Sequence, residues 1–205
     1  MSENRKMYDF VKRLMDIVCS LSGLIILLPV FIVVSVLIKI DSAGPVLFKQ
    51  NRVGKNGKVI KMYKFRSMVK NAEDIKYKLM DQNEMDGPMF KIKCDPRITR
   101  VGRFIRKTSI DELPQLINIL KGEMSLVGPR PSLLDEVEKF EPWMKERLTV
   151  KPGLTCIWQV NGRNDIKFNE WMQMDIKYVR ERCILLDIKL IIKTFSVFLG
   201  DVNAS

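Results

Sequence analysis

The sequence contains no histidine. That absence removes the commonest general base, every Ser-His-Asp or Cys-His arrangement, and zinc chemistry of the HExxH kind. Any catalysis must run on carboxylates, Lys, Arg, Tyr or a metal ion. Cysteine is scarce: Cys19, Cys94, Cys156 and Cys183 stand far apart, with no CxxC and no metal-ligand spacing, and read as reduced thiols of a cytosol-facing protein. There is no P-loop, no GxGxxG and no Asp-x-Asp, and the last absence argues against an ordinary metal-dependent nucleotide-sugar glycosyltransferase. No repeat or low-complexity tract interrupts the chain.

What is abundant is positive charge. The 205 residues carry a formal charge of +11, which implies an anionic partner: nucleic acid, anionic lipid or a phosphorylated substrate. Charge alone does not choose among them. The length suits one domain, or one domain with an appendage, and is enough to bury a core.

Residues 17–38 contain no charge, about the length of a spanning helix. Pro29 lies near the middle of this stretch, where it breaks the hydrogen-bond ladder. Basic residues lie on both flanks, Arg5, Lys6, Lys12 and Arg13 before and Lys39, Lys49, Arg52, Lys55 and Lys58 after, whereas a spanning helix concentrates them on one side. The economical solution is a helix-break-helix that dips into one leaflet and returns, broken at Leu28-Pro29, with arms of about 15–18 Å each. A tilted span is the alternative.

Beyond Gly44-Pro45 the pattern changes to two β-type runs joined by Lys55-Asn56-Gly57-Lys58, a hairpin signal. The second run ends in Lys64-Phe65-Arg66, where Lys64 reads as strand-face polarity and Arg66 as a cation able to reach a phosphate. Residues 71–82 read as a charged surface helix, residues 134–147 and 168–182 as further helices, and residues 150–155 and 159–164 as loops. Residues 184–199 form a very apolar helix, lying in a headgroup plane or buried in a core.

The chain is organised around Thr108-Ser109-Ile110-Asp111-Glu112-Leu113-Pro114-Gln115. Ser109-x-x-Glu112 fits a capping box, but Pro114 sits badly in that register; a cap at Asp111 instead places the proline at the third helical position. Either way Asp111 lies at a helix start and is expected to be ionised at neutral pH. An ionised aspartate can attack phosphorus, and a neighbouring carboxylate can hold a divalent cation. Upstream, Arg97, Arg100, Arg103 and Arg106 recur at steps of three, either as a solvated face or as a phosphate clamp. Residues 113–120 form a short helix with a buried stripe of Leu113, Leu116, Ile117 and Leu120. Pro129-Arg130-Pro131 presents a guanidinium from a stiff loop.

Taken in order, Lys64-Phe65-Arg66-Ser67-Met68, Arg106 to Gln115, Gly128-Pro129-Arg130-Pro131, Pro152-Gly153-Leu154-Thr155 and Trp158-Gln159-Val160-Asn161-Gly162-Arg163 resemble the bacterial sugar transferase family of small monotopic phosphoglycosyl transferases. The resemblance covers nearly the whole chain. It departs at Cys156, where glycine is usual, and at Glu123, where aspartate is frequent. It implies transfer of a phosphosugar from a UDP-sugar donor to a polyprenol phosphate acceptor, with release of UMP. By the same carry-over Asp111 is the nucleophile of a covalent aspartyl-phosphosugar intermediate, and Glu112 binds Mg²⁺. Arg106 and Arg163 lie near the phosphates, Pro129, Arg130 and Pro131 near the nucleotide, and Lys64 and Arg66 with the binding cations. Leu28-Pro29 matches the family's re-entrant membrane break.

The expected architecture is α+β and mostly helical: a membrane-associated re-entrant helix at residues 1–40, then a compact catalytic domain at residues 41–205 with a small β-hairpin and amphipathic interfacial helices. The larger relatives' long N-terminal membrane region is expected to be missing. The implied location is the bacterial inner membrane, catalytic domain on its cytoplasmic face, with membrane lipid as a partner, no nucleic acid, and a homodimer conceivable from the interfacial surfaces. Two other classes remain: a non-enzymatic peripheral binding protein, and a one-step glycosyltransferase releasing UDP.

Overall fold

The structure, a computed structural model, describes residues 3–84, 90, 92, 94–161 and 166–200, with backbone alone at 4, 82 and 195–200. The fold is α+β and mostly helical, with two small two-stranded sheets.

Helix α1 (Glu3–Ile26) and helix α2 (Leu28–Asp41) meet at Leu27 with a bend of 60°. Pro29 occupies the second position of α2, where its missing N–H loses no bond; in a continuous helix its ring would press on the preceding turn. Among the described residues no single helix is long and apolar enough to cross a membrane, while the bent pair meets that length and composition together. The first arm is longer than expected, since α1 begins in the basic segment and its 24 residues extend about 36 Å.

That basic segment is also less solvated than its charges implied. Lys12 pairs with Asp187 at 2.8 Å, and the Tyr8 hydroxyl donates to the same carboxylate at 3.0 Å. Arg13 donates to the carbonyls of Ile119 and Leu120 at 2.6 and 2.7 Å, and Asp16 accepts from Ser125 Oγ and the Leu126 N–H. These bonds tie residues 8–16 of α1 to residues 119–126 and to Asp187.

Strands β1 (Leu47–Val53) and β2 (Val59–Phe65) form the expected hairpin, antiparallel with Leu47 opposite Phe65 and Val53 opposite Val59. Asn56 (φ 56°) and Gly57 (φ 77°) take the left-handed conformations of the turn. Helix α3 (Ala72–Lys78) and helix α4 (Arg100–Lys107) follow; the Thr99 hydroxyl caps α4 by accepting from the Gly102 N–H. Helix α5 (Gln115–Lys121) ends at Gly122, whose φ of 80° closes it. Its buried face is Gln115, Leu116, Asn118 and Ile119; of the expected stripe Leu116 is buried while Leu113, Ile117 and Leu120 are half-buried, because Asn118 is held in the core by bonds to β2.

Strand β3 (Ser125–Val127) pairs in parallel with strand β4 (Gly153–Thr155), the latter in a stretch that the sequence reads as a loop. A Cβ on Gly153 would lie 2.1 Å from the Gly128 nitrogen, so the two backbones meet only as glycines. Helix α6 (Leu134–Glu138) and a run of 3₁₀ turns over Pro142–Thr149 replace the single helix expected there. Helix α7 (Ile157–Asn161), helix α8 (Phe168–Glu181) and helix α9 (Ile184–Gly200) complete the chain.

The cores cross the expected boundary between residues 40 and 41. Leu24 and Leu27 pack on Ile60, Met62, Leu116, Ile119 and Met124, and Val34 and Ile38 of α2 cluster with Phe65 and Ile105. Ile105 and Ile119 are fully buried, each contributing roughly 1.5–3 kcal/mol of transfer free energy. On α9, Leu190 is buried, whereas Leu185, Ile188 and Ile192 are exposed.

Candidate active site

The carboxylate pair sits in a connection, not at a capped helix start. Ser109 has a φ of 51°, outside the extended geometry of an N-cap, and its side chain caps nothing. The chain makes one 3₁₀ turn over Ile110–Glu112, and α5 starts only at Gln115, with Pro114 as the residue before it. Pro114 has no N–H to lose there. This turn buries Asp111, which is 8% exposed, and aims Glu112 at the end of β2.

Two cations converge on Glu112. Lys64 Nζ lies 2.7 Å from its Oε1 and Arg130 Nη1 lies 3.3 Å from the same oxygen. The packing of α5 on β2 sets this alignment: Asn118 Oδ1 accepts from the Tyr63 N–H at 3.0 Å and Asn118 Nδ2 donates to the Lys61 carbonyl at 2.7 Å. Asn118 thus pairs with the strand as a further strand would, fixing the turn before α5 against Lys64.

The Pro129-Arg130-Pro131 loop is held at every carbonyl. The Gly153 N–H donates to Pro129 O at 2.9 Å, Arg147 Nη2 to Arg130 O at 2.6 Å, and Arg52 Nη1 to Pro131 O at 3.1 Å. Arg147 is itself buried, paired with Asp175 at 2.6 Å, bonded to the Ser132 hydroxyl, and stacked near Phe140 and Trp171. The resulting cleft is lined by Arg52, Met62, Glu112, Gln115, Arg130, Pro131, Gly153 and Leu154.

The adjacent acids differ in their electrostatics. Burial pushes the Asp111 carboxyl above the ordinary aspartate range; Lys64 opposes that rise and the Glu112 charge adds to it. Burial works in the same direction on Glu112, but the charges of Lys64 and Arg130 outweigh it and hold the carboxyl below its usual range. Asp111 makes no hydrogen bond or ion pair with its side chain among the described residues, so it is the uncommitted acid of the two.

The other expected positions are divided. Arg106 is exposed on the last turn of α4, and its charge acts on Asp111. Arg97 lies before α4 and bonds Asp95, so the steps of three do not form one face. Arg66 is buried away from the cleft: its Nη2 donates to the carbonyls of Ile38 and Ser42 and to the Ser42 hydroxyl, gripping the C-terminal end of α2. A Cβ on Gly44 would sit 2.1 Å from Arg66 Nη1, so the guanidinium fills the turn that follows. Arg66 therefore makes its bonds with α2 where the sequence pointed to a phosphate. Arg163 lies outside the described residues. Sequence reasoning missed Arg52, Arg147 and Asn118; the only signal for Arg52 was its place on the first strand of the hairpin, and Arg147 was hidden in a charged run.

A family model for bacterial sugar transferases matches residues 7–201. The chain belongs to the bacterial sugar transferase family. The chain is 51% identical over 196 residues to the galactosyl transferase CpsE of Streptococcus agalactiae, covering 94% of this chain and 43% of that protein. It is 46% identical to the undecaprenyl-phosphate galactose phosphotransferase of Salmonella typhimurium, covering 93% of this chain and 40% of that one. The exopolysaccharide production protein ExoY of Sinorhizobium fredii is 38% identical, with 89% and 83% covered. The family chain thus spans less than half the length of the first two relatives and most of the third.

Proposed function

We propose that the chain transfers a sugar phosphate from a UDP-sugar to a polyprenol phosphate of the undecaprenyl type, releasing UMP. The observation that carries this reading is the division of labour between adjacent acids, with Glu112 ion-paired to Lys64 and Arg130 and Asp111 buried, without a side-chain bond among the described residues, and within the field of the same cations. The names of the relatives supply the substrate classes, a galactose phosphate donor and an undecaprenyl phosphate acceptor in the Salmonella protein.

In this reading an Asp111 carboxylate oxygen attacks the sugar-bearing phosphorus. An O–P bond forms as the P–O bond to UMP breaks, and UMP leaves with that electron pair. A phosphate oxygen of the lipid then attacks the same phosphorus, expelling Asp111 as a carboxylate and yielding the polyprenol diphosphate sugar. Lys64 and Arg130 offset the charge that gathers on the phosphoryl oxygens, and the loop fixed at three carbonyls keeps Arg130 in place, so catalysis comes from positioning and charge stabilisation.

Among the described residues no group of three acidic or thiol side chains could cage a metal ion. Two adjacent carboxylates nonetheless fit Mg²⁺, which commonly takes one or two carboxylates and completes its shell with phosphate oxygens and water. Glu112, with Asp111 beside it, would hold the ion, which when bound neutralises charge on the diphosphate.

The bent pair α1–α2 enters and leaves one leaflet of the bacterial inner membrane from the cytoplasmic side, its exposed Phe10, Leu14, Val18, Leu21, Ile25, Ile32 and Val36 in contact with lipid. The cleft then meets the acceptor phosphate at headgroup level. Identifying the nucleotide released with a panel of UDP-sugars, Mg²⁺ and undecaprenyl phosphate tests the reading: UMP supports it, and UDP would replace it with one-step glycosyl transfer.

A further inference from the structure

Among the described residues several buried and half-buried cations pair with carboxylates, whereas buried Arg66 and half-buried Arg13 are held by neutral oxygens of the fold itself. Arg97 has Asp95, Arg147 has Asp175, Lys12 has Asp187, and Lys64 and Arg130 share Glu112. Arg52 lines the same cleft as Glu112 and Arg130, yet among the described residues no carboxylate lies within ion-pair distance of it. Its bonds go to neutral oxygens: Nε and Nη2 donate to Gln50 Oε1 at 3.0 and 2.7 Å, and Nη1 to Pro131 O. Gln50 thereby orients the guanidinium without neutralising it. Burial first, and then the Arg130 charge, make the Arg52 cation costly, a cost that an entering anion relieves. Of the residues that line the cleft, Arg52 and Arg130 face the one carboxylate of Glu112, while Glu136 and Glu73 offset part of that charge without reaching Arg52 as ion pairs. A forked, pre-oriented guanidinium beside a second one is the arrangement that suits tetrahedral phosphate oxygens.

We propose that Arg52 is a phosphate-binding residue, receiving jointly with Arg130 one phosphate group of the diphosphate donor. Its substrate assignment rests on the transfer reading above; the anion site does not. The site takes a diphosphate because Arg52 and Glu112 lie in one cleft, so a phosphate held by Arg52 leaves the next one beside the carboxylate pair.

The test is calorimetric titration with inorganic pyrophosphate of the detergent-solubilised wild type, Arg52→Lys, Arg52→Gln and Lys49→Gln, the last removing a strand lysine that sits over the Tyr63 ring. The expected affinity order is wild type above Arg52→Lys above Arg52→Gln, with Arg52→Gln weaker by about tenfold or more and Lys49→Gln unchanged. Wild-type affinity in Arg52→Gln, equal losses in Arg52→Gln and Arg52→Lys, or no pyrophosphate binding by wild type overturns the proposal. Should Arg52→Gln fail to fold, Arg52→Lys decides: unchanged affinity overturns the proposal and a loss of about threefold upholds it, the fork being worth at least that much. The expected order without turnover of any UDP-sugar would leave the anion site standing and remove the transfer reading. Release of UMP by a protein whose pyrophosphate affinity ignores Arg52 would do the reverse.

Discussion

Lys64 Nζ stands 2.7 Å from Oε1 of Glu112, a contact between the end of strand β2 and the turn that precedes α5. It makes Glu112 the anchored acid, and in the proposed function its neighbour Asp111 is the one assigned the covalent chemistry. Replacing Lys64 with Met leaves Glu112 to Arg130 alone. The expected result is a loss of about 1–3 kcal/mol in urea unfolding and a fall in turnover of about 100-fold, with Lys64→Arg recovering part of both. Turnover unchanged in Lys64→Met would show that the ion pair has no part in the chemistry.

The pH profile follows from the raised carboxyl of Asp111. Burial pushes it up to about 6 against the pull of Lys64, so the carboxylate proposed as the nucleophile is lost by protonation as pH falls through that range. The sign is that kcat/KM for the donor climbs about tenfold per pH unit on the acid side and levels above it. Glu112, held low by Lys64 and Arg130, stays ionised throughout. The apparent midpoint belongs to the pair. An acid limb breaking near 4, the ordinary aspartate range, would contradict the burial described for Asp111.

Arg147 supports the loop from behind through Arg130 O, the Ser132 hydroxyl and Asp175. Arg147→Ala leaves the Asp175 carboxylate buried without its partner, and the expected destabilisation is about 3–5 kcal/mol. Replacing Arg147 and Asp175 together by Met and Leu, chosen to fill the space, is expected to restore much of the stability but not the turnover, since no group then holds Arg130 O. Chemical denaturation and kcat on the same samples check both halves.

What could be read from residues alone was the local grammar. Asn56-Gly57 located the hairpin, Pro29 located the break within one or two residues, and residues 168–182 matched α8 almost to its ends. What escaped were features made by distant partners. Strands β3 and β4 are three residues each, too short for any period, and exist because Gly128 and Gly153 let two backbones touch. The leucine pattern of residues 113–120 hid Asn118, a polar residue facing inward because β2 offers it an N–H and a carbonyl. Asp111 and Glu112 stood out as a pair, but their different roles depend on Lys64, 48 residues before Glu112, and on Arg130, which no spacing rule connects to them. Arg66 looked like a ligand because strand ends border clefts; the C-terminal carbonyls of α2 claimed it first.

The bend at Leu27 makes a topological prediction. With Glu3→Cys and Lys39→Cys introduced singly into a chain whose exposed Cys19, Cys94 and Cys183 are replaced by Ser, a membrane-impermeant maleimide is expected to label both positions from the cytoplasmic side of sealed vesicles and neither from the other. Labelling of the two positions from opposite sides would make the pair a bent span.

The central claim is that Asp111 carries the phosphosugar, and its most direct test is rapid-mix measurement of nucleotide release with Mg²⁺ and a UDP-sugar the protein accepts, in the absence of any polyprenol phosphate. The expected result is a burst of UMP approaching about one equivalent per protein, a matching sugar-phosphate mass adduct on the intact chain, and the absence of both in Asp111→Asn, which is expected to fold because Asp111 makes no side-chain bond among the described residues. UMP appearing only when lipid is added, with no adduct, or a burst that survives Asp111→Asn, would contradict the covalent assignment.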